Sequence, residues 1–268
     1  MDLVQGENLP SWPKTITKHK NLSEWAERYR RRARSSNFFP LKDFNTSVSN
    51  FLEPFRNQKI ALIHIKTNVG NATAKVTNPY TYLQTIEYLL DLKYKLIFFG
   101  REKIPELFNK YKLFNYSESK YASFTHDIQL FNIASLAIMG GSGAFLFAEC
   151  MNVDLLYINY WHLFRLPAAH SAICIPSLVR TPSKNFLKFS EQWKLYKNAQ
   201  DGRVEVFPFD QFEARNATSD EILAGCQELI NLKETQSPLQ IQFARLSDYY
   251  FGESRISDYF IKKHESLL

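Results

Sequence analysis

The chain reads as an α/β protein built on a Rossmann-like, doubly wound, mainly parallel sheet, with a short helical segment ahead of it. Three observations predict this. From Lys59 onward, short apolar runs alternate with amphipathic helical patterns, the order that builds parallel strands covered by helices. The stretch LAIMGGSGAFLFAECMNVDLLYIN (136–159) compresses strand, Gly-rich turn, helix and second strand into 24 residues. Finally, 268 residues with 45% hydrophobic content are enough to bury a substantial core.

Taken in order, residues 1–57 are charged and helix-like, broken by Pro10, Pro13, Pro40 and Pro54. Residues 60–65 form the first strand and 68–78 a polar loop. Pro79 opens a helix running to about residue 92, with Leu83, Ile86, Leu89 and Leu90 on its apolar stripe. Residues 94–99 are the second strand, 104–111 a short helix, and 124–134 a helix turning Ile128, Leu130, Phe131 and Ile133 inward. A buried strand at 136–139 leads through Gly140, Gly141, Ser142 and Gly143 into a helix over 143–151, with Ala144, Phe147 and Ala148 toward the sheet. Residues 153–158 are the next strand. Residues 160–202, punctuated by Pro167, Pro176 and Pro182, read as an irregular lid or acceptor-facing loop. A strand at 204–207 and a helix from Thr218 carrying Ile222, Leu223, Cys226, Leu229 and Ile230 complete the sheet unit. The expected division is an N-terminal helical, basic segment over 1–57, a Rossmann-like α/β domain over 58–240 and a helical tail over 241–268.

Composition narrows the function classes. No run approaches the about 18 apolar residues of a membrane span, and the first residues lack the basic-then-apolar order of a signal peptide, so a cytoplasmic protein is expected. Cys150, Cys174 and Cys226 are odd in number and widely spaced, which indicates buried thiols rather than disulfides or a zinc knuckle. The net charge of +6 owes much to Arg28, Arg30, Arg31, Arg32 and Arg34. Such a run is either a solvated helix face or a contact with an anionic partner, including the inner membrane face; without a nucleic-acid motif, nucleic acid is disfavoured.

The turn at Ser142 is the first candidate site. Glycines let the backbone approach a ligand closely, and the helix after it directs free N–H groups and a positive dipole end toward Ser142. Gly-Gly-Ser-Gly fits neither the dinucleotide fingerprint nor the P-loop, so a tight turn without a ligand is the competing explanation.

His64-Ile65-Lys66, the Tyr82-x-x-x-Ile86-x-Tyr88-Leu89 helix leading to KLIFFG, THDIQLFNIASLAIMGGSG, LLYIN and RNATSDEILAGCQELI follow one another in a definite order. That order resembles a family of bacterial glycosyltransferases of surface-polysaccharide clusters. Its members carry a His-x-Arg strand end, an Arg-Asn-rich loop before a Tyr-containing helix, and a strand ending near Arg-x-Gly-Asp. An Asp-containing helix, a Ser-Gly turn, a strand ending in Asn and a late Asn before a Glu-Ile helix follow. The resemblance spans about residues 58–232 and implies the nucleotide-sugar half of a GT-B enzyme, distantly similar to fucosyltransferases. It implies a nucleotide-diphosphate sugar as donor, a glycan or glycolipid of capsule or related polysaccharide as acceptor, and no metal or other cofactor.

By the same resemblance His64, Lys66 and Asp127 are the catalytic candidates. Asn68, Lys75, Tyr82, Gly100, Arg101, Gly141, Ser142, Gly143, Glu149, Asn159 and Asn216 are the substrate-binding ones. Lys66 and Arg101 stand at strand C-terminal ends, where an open α/β sheet places its ligand crevice. His64 is either a base or phosphate contact or a structural histidine, Asp127 either a helix cap or a ligand contact, and Glu149 either a ribose contact or a solvated side chain. Tyr116, Tyr121 and Trp161 offer rings for stacking or for the core.

The sequence departs from the family at its cations. Lys66 stands where the family has arginine, Lys75 falls about where the loop arginine is expected, and Phe99-Gly100-Arg101-Glu102 replaces the Gly-Asp ending. Lysine keeps the charge without the planar fork that grips a diphosphate. A non-catalytic binding or scaffold relative is therefore the second expectation. The shortness of 1–57 adds a third element, a partner subunit or second copy completing the acceptor side.

Overall fold

The computed structural model describes residues 50–67, 76–151, 153–161, 171–198, 211–233, 235–246 and 254–268. Lys59–His64 (β1) is the first strand, and all but its first residue are buried, as a strand covered on both faces requires. Pro79–Tyr82 is a 3-10 turn started by Asn78, whose side chain accepts from the Tyr80 N–H. It runs into the helix Leu83–Asp91 (α1), which buries Ile86 and Leu89. Tyr94–Phe98 (β2) and the two-residue Phe114–Asn115 (β3) follow. Next come the helix Phe124–Ile133 (α2), Leu136–Gly140 (β4), the helix Phe145–Cys150 (α3) and Asp154–Tyr160 (β5).

Beyond β5 the chain is more regular than its prolines suggest. Ala172–Pro176 (β6) is wholly buried, Leu178–Arg180 (β7) pairs antiparallel with Glu213–Arg215 (β8), and Phe189–Asn198 (α4) is a helix. The irregular loop expected over 160–202 is thus corrected over 171–198. Pro176 costs no ladder bond because it ends its strand. Ser219–Ile230 (α5) begins at a capping box of Thr218 and Glu221. Pro238–Arg245 (α6), Arg255–Ile256 (β9) and Asp258–Lys263 (α7) complete the described chain.

Seven strands form one parallel sheet in the order β3–β2–β1–β4–β5–β6–β9, a Rossmann-like α/β arrangement. Strand addition runs one way from β1 to β2 and β3, then reverses to β4, so β1 and β4 flank a topological switch point. One face packs Ile63, Ile86, Leu89, Ile158, Ile175, Ile222 and Phe260. The other packs Leu62, Leu130, Phe131, Met139, Ala148 and Tyr157, with Phe51 and Phe55 from ahead of β1. Gly225 lets α5 close on the first face, since a Cβ there would lie 2.8 Å from Ile175 Cδ1 and 3.0 Å from Leu156 Cδ1.

Other expectations are corrected at the ends of the domain. The tail over 241–268 contributes β9 to the sheet, and α6 runs across the expected 240/241 boundary. Phe51 and Phe55 belong to the main core, so residues 50–57 are not a separate layer. The helix expected over 104–111 is a single 3-10 turn, Glu106–Phe108; Pro105 disfavours a helical Ile104 and Phe108 is buried as the anchor. The strand expected at 204–207 and the arginine run at 28–34 lie outside the described residues. Cys174 and Cys226 are buried free thiols, and burial pushes the Cys226 thiol up to about 12. Among the described residues no helix is long and apolar enough to cross a membrane.

Candidate functional site

The carboxyl edge of the sheet brings together the residues that follow β1, β2, β4 and β5, four segments far apart in sequence. His64 ends β1 and is 8% exposed. Its ring lies beside Phe99 and against Gly100, whose φ of +133° and missing Cβ make the approach possible: a Cβ there would sit 3.1 Å from His64 Cδ2. Nδ1 is buried and has no hydrogen-bond partner among the described residues. Burial, and then the Lys66 charge, pull the imidazole down to about 4 against the opposing influence of Glu102. At neutral pH His64 is therefore an uncharged group, a weak base suited to orienting a ligand more than to taking a proton.

The two loops beyond β1 and β2 are tied directly. Thr67 donates its backbone N–H and its hydroxyl to Glu102 Oε2, at 2.5 and 2.7 Å. One residue earlier, Arg101 Nη2 pairs with Asp127 Oδ2 at 2.8 Å, and the other carboxylate oxygen accepts from the Tyr116 hydroxyl at 2.6 Å. Asp127 is thus not the helix cap; Ser123 caps α2, and Asp127 in its first turn holds Arg101, whose side chain stays 59% exposed. Tyr116 and Trp161 are core side chains, and Tyr121 packs against Phe51.

The Gly-rich turn differs from expectation. Helix α3 starts at Phe145 and has only six residues. The N–H groups of Phe145, Leu146 and Phe147 are consumed by the carbonyls of Ser142, Gly143 and Ala144, and the Ser142 hydroxyl accepts from the Ala144 N–H. The N–H groups of 144–147 are thus bonded within the turn and the short helix, and Gly141, Ser142 and Gly143 form the turn ahead of it. Glu149 lies four residues into α3, about 6 Å along its axis from the first residue, and its charge adds to the burial that raises the Cys174 thiol.

Two further candidates are bonded within the protein, and a third is buried. Asn159 takes a left-handed φ of 56°, donates to Thr77 Oγ1 at 3.0 Å and accepts the Ala217 N–H at 2.8 Å. Asn216 donates to the Val76 carbonyl and accepts from the Ser177 hydroxyl at 3.0 Å. Tyr82 is fully buried, with its hydroxyl toward Thr77. The two asparagines hold the loop at 76–78 against β5 and the start of α5. Lys66 lies at the β1 end with its carbonyl accepting from the Thr77 N–H. Asn68 and Lys75 lie outside the described residues.

Beside this edge opens a broad cleft of about 850 Å³, lined by Thr67, Val76, Thr77, Asn78, Pro79, Lys103, Ile104, Pro105, Glu106 and Asn216. Of the described residues expected from sequence, only Asn216 reaches it. Thr67 and Glu102, 35 positions apart, carry no local motif; the usable signal was that each lies just past the C-terminal end of a parallel strand. Comparisons with protein-family models, with curated proteins and with solved structures find no match for this chain.

Proposed function

We propose that the chain is the nucleotide-sugar half of a GT-B-like glycosyltransferase, transferring a sugar from a nucleotide-diphosphate donor to a glycan or glycolipid acceptor of a bacterial surface polysaccharide. The observation that carries this reading is the crevice at the switch point between β1 and β4, with Lys66 and Arg101 beside it and an 850 Å³ cleft adjoining. Sugar transfer needs the leaving diphosphate neutralised, and these two cations supply positive charge at that edge. The ordered motifs from His64 to the α5 start add the resemblance to surface-polysaccharide glycosyltransferases. Incubation with uridine, guanosine and cytidine diphosphate sugars plus a membrane glycolipid extract, read as released nucleoside diphosphate, tests the reading. Release with one donor supports it, and no release with any donor counts against it.

A second reading, a non-catalytic binding or scaffold subunit, has its own observation. Arg101 is tied to Asp127, His64 is a weak base, and the N–H groups of 144–147 are already bonded. Donor binding without turnover in the same assay distinguishes it.

A further inference from the structure

Asp127 is 7% exposed, and both of its oxygens are committed within the protein. Oδ2 accepts from Arg101 Nη2 at 2.8 Å and Oδ1 from the Tyr116 hydroxyl at 2.6 Å. Tyr116 is fully buried, with its ring stacked on Phe99, and its oxygen also accepts the Ser123 N–H at 3.1 Å. The carboxylate is therefore held from the residue after β3 and from the first turn of α2 at once. Arg101 is the open end of this chain of bonds. Its side chain is 59% exposed, and among the described residues it makes one hydrogen bond, the one from Nη2. The rest of the guanidinium fork is left for another acceptor.

An ion pair with one partner this exposed contributes little to stability, so a structural tie alone accounts poorly for the arrangement. Orientation accounts for it better: a long side chain held in place before an anion arrives loses less rotamer entropy on gripping it. We infer that Asp127, locked by Tyr116, is a positioning residue that presents the Arg101 guanidinium to the donor phosphates and does not itself touch substrate. The inference rests on the nucleotide-sugar reading and deepens it, by moving Asp127 from the groups expected to act on substrate to the group behind Arg101. It also carries an internal opposition. The Asp127 charge offsets the pull of Arg101 on an anion while the Asp127 geometry aims it, and these two effects on affinity have opposite signs.

The experiment uses the full chain. Uridine, guanosine, cytidine and adenosine diphosphates are ranked by thermal shift, and the tightest is titrated calorimetrically into the variants. Asp127→Ala makes the edge more positive, so charge alone predicts tighter binding; positioning predicts binding weakened about fivefold or more. Asp127→Asn, whose amide oxygen still accepts from Nη2, recovers part of the loss, and Asp127→Ala has no weakening effect once Arg101 is alanine. The Ser123 carbonyl lies 3.0 Å from the Tyr116 hydroxyl and takes its proton when the carboxylate is gone, so no buried donor is orphaned. Tyr116→Phe keeps the core ring, removes only the lock and weakens binding severalfold, which reads the same role if Asp127→Ala does not fold. Unchanged or tighter binding in Asp127→Ala, wild-type affinity in Tyr116→Phe, or an equal loss without Arg101 overturns the positioning role and leaves nucleotide binding intact. No response of the wild-type protein to any diphosphate overturns the nucleotide-sugar reading itself, and the positioning role falls with it.

Discussion

Thr67 holds one carboxylate oxygen of Glu102 with both its N–H and its hydroxyl, so a single carboxylate fastens the loop after β1 to the loop after β2. His64, Lys66, Gly100, Arg101 and the cleft residue Lys103 all lie within three residues of one end of that fastening. A crevice built from loops needs such a tie, because loops open at low cost unless their backbone donors are bound.

Replacing Glu102 by alanine releases both Thr67 donors and is expected to lower unfolding free energy by about 1–2 kcal/mol, the range for a partly exposed, charge-assisted pair. Urea denaturation reads the loss. Because Glu102 opposes the influences that lower His64, the His64 pKa falls further in the same variant, which histidine NMR titration measures.

His64 makes stability depend on pH. Its folded pKa of about 4 lies below the unfolded 6.5, so the unfolded state binds the extra proton first. Stability is then complete above about pH 6.5 and falls as the solution is acidified, by about 3 kcal/mol by pH 4. His64→Gln should flatten the slope between pH 4.5 and 6.5. An unchanged slope in that window would mean that His64 is not the group responsible.

Glu221 gives a second, separable acid loss. Burial would raise its pKa, but hydrogen bonds from His264 and Arg215 and the Thr218 N–H hold the carboxyl well below the usual range. Stability from this source is present above about pH 4.5 and is lost below it. Arg215 grips both oxygens, at 3.0 and 3.2 Å, and His264 Nε2 lies 2.8 Å away, joining β8, α5 and the residue after α7. Glu221→Gln leaves the half-buried Arg215 guanidinium facing a neutral amide, and about 3 kcal/mol of destabilisation is expected in chemical denaturation at pH 7.

Asn159→Ala removes the acceptor of the Ala217 N–H and the donor to Thr77, and puts alanine at φ 56°. About 2–3 kcal/mol should be lost. Hydrogen exchange at Thr77 and Ala217 should rise by more than in the sheet centre if the side chain anchors the 76–78 loop; uniform exchange would contradict that role.

The parallel sheet was legible because its signals are local. Apolar runs at 60–65, 94–99 and 136–139, Pro79 at a helix start and the Thr218–Glu221 capping box each need only a few adjacent residues. What escaped depends on partners distant in sequence. The two-residue β9 is a strand only because Ile173 and Cys174 of β6 lie beside it, and β7 only because β8 folds back on it. For the site, strand ends correctly marked His64, Lys66 and Arg101 as edge residues. The same reasoning had no means of knowing that Asp127 and Tyr116 would take up Arg101, or that Asn159 and Asn216 would spend their amides on the scaffold. A side chain's type shows what it is able to bind; the fold decides what it meets first.

The most direct measurement is a thermal-shift titration of the wild-type protein, Lys66→Ala and Ser142→Trp with nucleotide-diphosphate sugars and their free nucleoside diphosphates. A ligand at a hundred times its dissociation constant adds about 2.7 kcal/mol, a shift of several degrees for a domain of this size. The nucleotide-sugar account predicts a selective rise with one nucleotide that is lost in both variants. A flat response of the wild-type protein across the whole panel would contradict it.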